Sequence, residues 1–135
     1  MQYMLDTDIC IHLIRKKALA LLRKIEAHKP EDLCLSSITL SELEYGVHKS
    51  DRPDQNSIAL TQFVSPFTIL PFDQAAAIRY GILRADIEDS GKPIGSMDML
   101  IAAHALSAGL TLVTGNTNEF DRVKGLKVVN WAKQG

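Results

Sequence analysis

The order of patterns along this chain predicts an α/β fold, an α/β/α sandwich built on a mainly parallel central sheet. Short apolar runs alternate with stretches of helical periodicity almost from end to end. Caps and breakers fall between them, where helices should start and stop. A length of 135 residues suits one domain, and residues 1–135 read as a single unit without repeats, low-complexity stretches or linkers.

Tyr3-Met4-Leu5 is a short apolar run that reads as a buried strand ending at Asp6. Thr7 or Asp8 then caps a helix through Ile9, Ile11, Leu13 and Ile14. A second helix runs from about Ala18 to Ala27, with Leu21, Leu22 and Ile25 on one face, and Lys29-Pro30-Glu31-Asp32 ends it. Leu33 to Ser36 is the second strand. Thr39 opens a helix through Leu40, Leu43 and Val47, and Ser50 to Gln55 is a charged break. Ser57 to Val64 reads as helix and Phe67 to Phe72 as the third strand. Asp73 caps a long helix carrying Ala76, Ile78, Ile82, Leu83 and Ile87, closed by the loop Ser90-Gly91-Lys92-Pro93. The next helix spans about Met97 to Ser107 and stops at Gly109, where a C-terminal cap prefers glycine. Leu110 to Val113 is the fourth strand, and Leu126 to Val129 is a short last one.

Composition narrows the class. The apolar share of 46% and charged share of 23% are those of an ordinary globular protein. No apolar run approaches the roughly 20 residues that cross a bilayer, so no membrane role is expected. The opening MQYMLDTD has no signal-peptide apolar region, and a cytoplasmic protein is expected. Cys10 and Cys34 sit among apolar residues and read as buried thiols rather than a disulfide. The net charge of −1 argues weakly against nucleic acid as partner, but a local cluster of acids would mask a modest basic surface. Arg15, Lys16, Lys17, Arg23 and Lys24 form such a basic group and read first as a solvated helix face.

Four acids fall at the ends or beginnings of these elements: Asp6, Glu42, Asp98 and Glu119. In open parallel sheets, ligands bind beyond the carboxyl ends of the strands. Each acid alone has an ordinary reading. Asp6 caps a turn. Glu42 closes the capping box Thr39-Leu40-Ser41-Glu42. Asp98 complements a helix dipole, and Glu119 is loop polarity. Asp98 nevertheless shares a helix face with Ile101, Ala102 and Ala105, in a helix without Lys or Arg, so it points inward without a local partner. Clustered carboxylates repel one another unless a cation neutralises them, and an all-oxygen donor set suits Mg²⁺ or Mn²⁺. Thr7, Ser96, Thr114 and Asn116 lie beside the acids and are placed to orient them or a phosphate. His104 lies about 120° around its helix from Asp98 and reads as a packed histidine, not a ligand. Neither zinc-spaced His pairs nor a Gly-rich phosphate loop occurs.

These residues together resemble the PIN-domain ribonucleases, and among them the VapC toxins of bacterial toxin–antitoxin systems. MLDTDICI is similar to the opening motif, SSITLSELEYG to the second, and PIGSMDMLIAAHALSAGLTLVTGNTNEFDRV to the closing stretch. Two positions depart from the pattern. Asp8 stands where Asn is usual, and Ser96 where many relatives have Pro. The resemblance implies a Mg²⁺-dependent (or Mn²⁺-dependent) endoribonuclease, a homodimer, silenced by a VapB-like antitoxin whose tail enters the acid pocket. It implies structured RNA as substrate, a tRNA anticodon loop and first of all that of the initiator tRNA. It carries catalytic roles to Asp6, Glu42, Asp98 and Glu119, with Asp6 and Asp98 as the metal ligands.

Two rivals are weighed against this. Asp6-Thr7-Asp8 after a strand resembles the start of a haloacid-dehalogenase phosphatase, whose later lysine and acidic-pair motifs have no room here. The other is a non-catalytic α/β protein-binding module in which the acids are only caps.

Overall fold

The computed structural model describes residues 1–16 and 18–132. Its elements alternate as the patterns predict. Strand β1 (Tyr3–Leu5) leads into helices α1 (Thr7–Ile14) and α2 (Leu19–Glu26), then a 3₁₀ turn (Pro30–Asp32) and β2 (Leu33–Ser36). Helices α3 (Ser37–Lys49) and α4 (Pro53–Val64) precede β3 (Thr68–Leu70). Helices α5 (Gln74–Ser90) and α6 (Ser96–Ala108) precede β4 (Thr111–Val113), the short helix α7 (Thr117–Phe120) and β5 (Val128–Val129).

The strands form a five-stranded sheet of order β3-β2-β1-β4-β5, with every neighbouring pair parallel. Tyr3 stands opposite both Leu33 and Thr111, so β1 is the central strand. Because helices cover both faces, the strands are apolar on both sides instead of alternating. Met4, Cys34 and Leu112 face one core with Ile101, Ala102, Ala105 and Phe120. Their strand neighbours Leu5, Leu35 and Val113 face the other, with Ile9, Leu43 and Leu60. Each such aliphatic side chain contributes about 1.5–3 kcal/mol by leaving water. The buried alanines of α6, Ala102, Ala103 and Ala105, let this helix pack close to the sheet and to the long α5.

Parallel register aligns the C-terminal ends of the strands. Asp6 N–H bonds Val113 O at 2.9 Å, which continues the β1–β4 ladder by one residue and sets Asp6 just beyond it. Gly91 (φ 71°) and Gly109 (φ 68°) close α5 and α6 in left-handed conformations that a side chain would strain.

Several local expectations need correction. Asp6 itself is the N-cap of α1, accepting from Thr7 N–H at 2.8 Å, in place of Thr7 or Asp8. Helix α3 starts earlier than Thr39 because Ser36 caps it, its Oγ accepting from Ile38 N–H at 3.0 Å. Thr39 is therefore inside the helix and fully buried, so the capping box ending at Glu42 does not form. Pro53 lies in the first helical turn of α4, since its missing N–H costs nothing there. The third strand is shorter than Phe67 to Phe72, and α7 has no counterpart among the predicted elements. Both cysteines are buried free thiols, as expected. No helix of the described residues is long and apolar enough to cross a membrane.

Candidate active site

Asp6, Asp8, Glu42, Asp98 and Glu119 gather at the C-terminal edge of the sheet. Asp6 and Asp8 come from the start of α1, Glu42 from the second turn of α3, Asp98 from the first turn of α6, and Glu119 from α7. Their hydrogen bonds show how each is held.

Asp6 is buried with both oxygens occupied. Oδ1 accepts from Thr7 N–H at 2.8 Å, and Oδ2 accepts from Thr114 Oγ at 2.7 Å. Glu42 Oε1 lies 2.5 Å from Thr7 Oγ, which is 3.3 Å from the buried Thr39 Oγ. A hydroxyl has one proton. The Thr7 proton goes to the carboxylate, so the Thr39 hydroxyl donates to Thr7. Glu119 Oε1 accepts from Gly95 N–H at 3.0 Å, and Oε2 accepts from the Asn116 amide at 2.7 Å. Asp8 Oδ2 accepts from Gly115 N–H at 3.0 Å, while its Oδ1 is buried without a hydrogen-bond partner.

Electrostatics shows that the acids face one another. Burial first, then the charge of Asp8, raises Asp6 to about 7, against the opposing hydrogen bonds from Thr114 and Thr7. Burial and the Glu119 charge raise Asp98 to about 6, with Glu42 and Asp8 adding to the effect. Glu119 moves the other way, lowered chiefly by the Gly95 N–H. Asp98 and Glu119 thus shift in opposite directions, each under the influence of the other. The ion pairs among the described residues, Met1 with Asp32 and Arg84 with Glu88, include none of the five acids; the Arg122 charge acts only on Glu119, as the least of the causes that lower it.

This is a cluster short of positive charge with only oxygen donors, which fits a hard divalent cation. Among the described residues no group of three acidic, His or Cys side chains converges tightly enough to hold a metal by itself. Mg²⁺ asks for fewer protein ligands, one or two carboxylates, with water and substrate phosphate filling the octahedron. Asp6 and Asp98, linked by the Asp98 charge that acts on Asp6, are the residues that could supply those carboxylates.

The structure thus brings together Asp6, Glu42, Asp98 and Glu119, with Thr7, Thr114 and Asn116 bonded to them as the sequence suggests. His104 is away from the acids, buried, with Nδ1 2.8 Å from Ser36 Oγ. Arg15, Lys16, Arg23 and Lys24 are exposed, and Lys17 lies outside the described residues. Sequence reasoning missed Gly95 and Gly115, read Thr39 only as a helix cap, and read Asp8 as a cap of α1 and an added charge. The signal for Gly115 was its place one residue past the end of β4 and between two polar residues, where a close backbone approach favours glycine.

The PIN domain pattern matches residues 3–126. The chain belongs to the PIN domain family. The PIN domain is a nuclease fold, and such nucleases are generally dependent on divalent metal. The tRNA(fMet)-specific endonuclease VapC of Shigella flexneri is 42% identical over 98% of this chain and 99% of its own length. Ribonuclease VapC2 of Haemophilus influenzae is 41% identical over 97% of this chain and 98% of its own. Among solved structures, this PIN domain superimposes on VapBC2 from Rickettsia felis bound to a promoter DNA fragment with a TM-score of 0.92. The identity there is 40%, covering 97% of this chain and 99% of that one. For DNA-bound VapBC from Salmonella typhimurium the TM-score is 0.93 at 39% identity, covering 97% and 98%. The phosphatase and the passive binding module are not favoured by these matches.

Proposed function

We propose that this PIN domain is the toxin of a type II toxin–antitoxin pair, a Mg²⁺-dependent endoribonuclease that cuts a tRNA anticodon loop, with initiator tRNA as the first candidate and a VapB-like antitoxin as its partner. The observation that carries the catalytic reading is the gathering of Asp6, Asp8, Glu42, Asp98 and Glu119 at the sheet edge, with Asp6 and Asp98 both raised by burial and by neighbouring acids. The substrate and partner readings lean on the relatives named for tRNA(fMet) cleavage and on the VapBC complexes.

A bound divalent cation supplies Lewis acidity to a phosphate oxygen and lowers the pKa of water. The residues of the chain do the rest. Thr114 and the Thr7 amide fix the Asp6 carboxylate so that it presents one orientation. Thr39 and Thr7 in series fix Glu42, and Gly95 with Asn116 fixes Glu119. Glu42 or Glu119, whose charges both act on Asp98, positions the attacking water or a second metal ion for in-line displacement. Cleavage then yields a 5′-phosphate and a 3′-hydroxyl. Side-chain nucleophiles are not needed. Selectivity among RNAs comes from loop shape and unstacked bases.

The test is cleavage of a purified tRNA panel with Mg²⁺, Mn²⁺, Ca²⁺ or EDTA, followed by mapping of the ends. Cuts within one anticodon loop, supported by Mg²⁺ and Mn²⁺ and ending in 5′-phosphate, are expected. Cleavage in EDTA leaving a 2′,3′-cyclic phosphate would overturn the reading.

A further inference from the structure

The turn between β4 and α7 is tied to the first turn of α1 by two successive residues. Thr114 reaches Asp6, and the Gly115 amide reaches Asp8 Oδ2 at 3.0 Å, across 107 residues of sequence. The second tie is specific to both partners. A Cβ placed on Gly115 would lie 2.8 Å from that same oxygen, so only glycine lets the backbone approach the carboxylate. The next residue, Asn116, holds Glu119 Oε2 through its side-chain amide at 2.7 Å. Helix α7 is only Thr117–Phe120, far too short to hold itself in place by its own hydrogen bonds. Its position depends on its ends. The buried Phe120 anchors one of them in the core, and the Thr114 and Gly115 ties together anchor the other.

We propose that Asp8 is a positioning residue of the nuclease site: through the Gly115 amide it holds the turn that presents Asn116 and Glu119 to Asp98. This rests on the proposed nuclease activity. The role belongs to an acceptor oxygen, not to a charge. An Asn side chain offers the same carbonyl acceptor to Gly115 without adding an anion beside Asp6. An Ala side chain offers none, and the amide would turn to water.

The experiment compares wild type, Asp8→Asn, Asp8→Ala and Gly115→Ala at saturating Mg²⁺, with kcat and KM for RNA cleavage, melting temperature, and hydrogen exchange of the residue-115 amide by NMR. Asp8→Asn keeps kcat within about threefold and keeps the amide protected. Asp8→Ala and Gly115→Ala lose about tenfold or more in kcat with KM little changed, and the amide exchanges about tenfold faster, a factor that corresponds to loss of one hydrogen bond. Rescue by Asn separates positioning from bulk stability. The proposal is overturned if Asp8→Ala keeps wild-type kcat, if its loss of kcat leaves the amide protected, or if Asp8→Asn is as impaired as Asp8→Ala. If Asp8→Ala fails to fold, Asp8→Asn and Gly115→Ala decide between the same outcomes. If wild type cuts no RNA, the nuclease reading fails by itself, and the exchange rates alone decide whether Asp8 holds the turn.

Discussion

Thr114 Oγ donates to Asp6 Oδ2 at 2.7 Å and accepts from Asn116 N–H at 3.0 Å, so one buried hydroxyl joins the first acid of the site to the turn that leads to the last. Thr114→Val keeps the shape but removes both bonds. It leaves a carboxylate oxygen and an amide unsatisfied, at a cost of about 1–3 kcal/mol. Because this bond opposes the burial effect on Asp6, its loss also raises the Asp6 pKa further. A lower melting temperature and weaker Mg²⁺ binding at neutral pH, read by calorimetry, are the expected results; unchanged Mg²⁺ affinity would count against the contact.

Asp6→Asn and Asp98→Asn should each abolish cleavage while leaving the fold intact. Each removes one anion from a self-repelling group, so the metal-free variants should melt at or above the wild-type temperature at pH 8. Nuclease-free preparations assayed on RNA check the first half, and thermal melts in EDTA check the second. Full activity in either variant would remove that residue from the site.

Stability of the metal-free protein should fall as pH rises. Asp6 titrates at about 7 in the fold against 3.8 for an unperturbed Asp, so between these limits the folded state binds a proton that the unfolded chain has lost. Stability tracks the difference between protons bound unfolded and folded, which is negative in this window, and so it decreases with pH. Asp98, raised to about 6, acts in the same direction. Glu119 is lowered, and its contribution is lost only in acid, as pH drops through its folded value. The melting temperature in EDTA should therefore drop by on the order of 5 °C from pH 5.5 to pH 8. Mg²⁺ should restore it at pH 8, where the ligands are deprotonated, and much less at pH 5.5. A flat or rising profile in EDTA would contradict the clustering of these acids.

Glu42→Gln tests a residue whose expected structural role does not materialise. Gln keeps an acceptor for the Thr7 hydroxyl, so the melting temperature should move by no more than about 2 °C, as for a neutral change at a partly exposed site. Cleavage should fall by about 100-fold, within the usual range for removing a positioned acid or base. Wild-type turnover would leave Glu42 as a spectator.

The sheet and the acids are legible in the sequence to different depths. Strands β1 and β2 can be bounded because a polar residue, Asp6 or Ser36, terminates an unbroken apolar run, and a parallel sheet covered on both faces demands such runs. Asp98 stands out because its helix offers no basic partner for an inward carboxylate. Glu42 is singled out with the wrong local geometry. Ser36 outcompetes Thr39 for the cap because the strand ends there, which pushes Glu42 into the second turn and toward Thr7. Pro53 reads as a breaker because proline both stops and starts helices. The four residues of α7 are too few for any periodicity to register. The bond from Asp8 to Gly115 spans 107 positions, and no local pattern encodes such a tie.

The acids are strung along nearly the whole chain, and this has a consequence for synthesis. Strands β3, β2 and β1 and their helices can associate once about half the chain exists, but β4 must then add on the other side of β1 before Thr114 meets Asp6, 108 positions away. Until the segment carrying Glu119 has left the ribosome, the growing polypeptide holds only part of its cutting machinery. Under the proposed function, an enzyme aimed at a tRNA of translation is thereby harmless to the ribosome that is making it until that last acidic segment has emerged and docked.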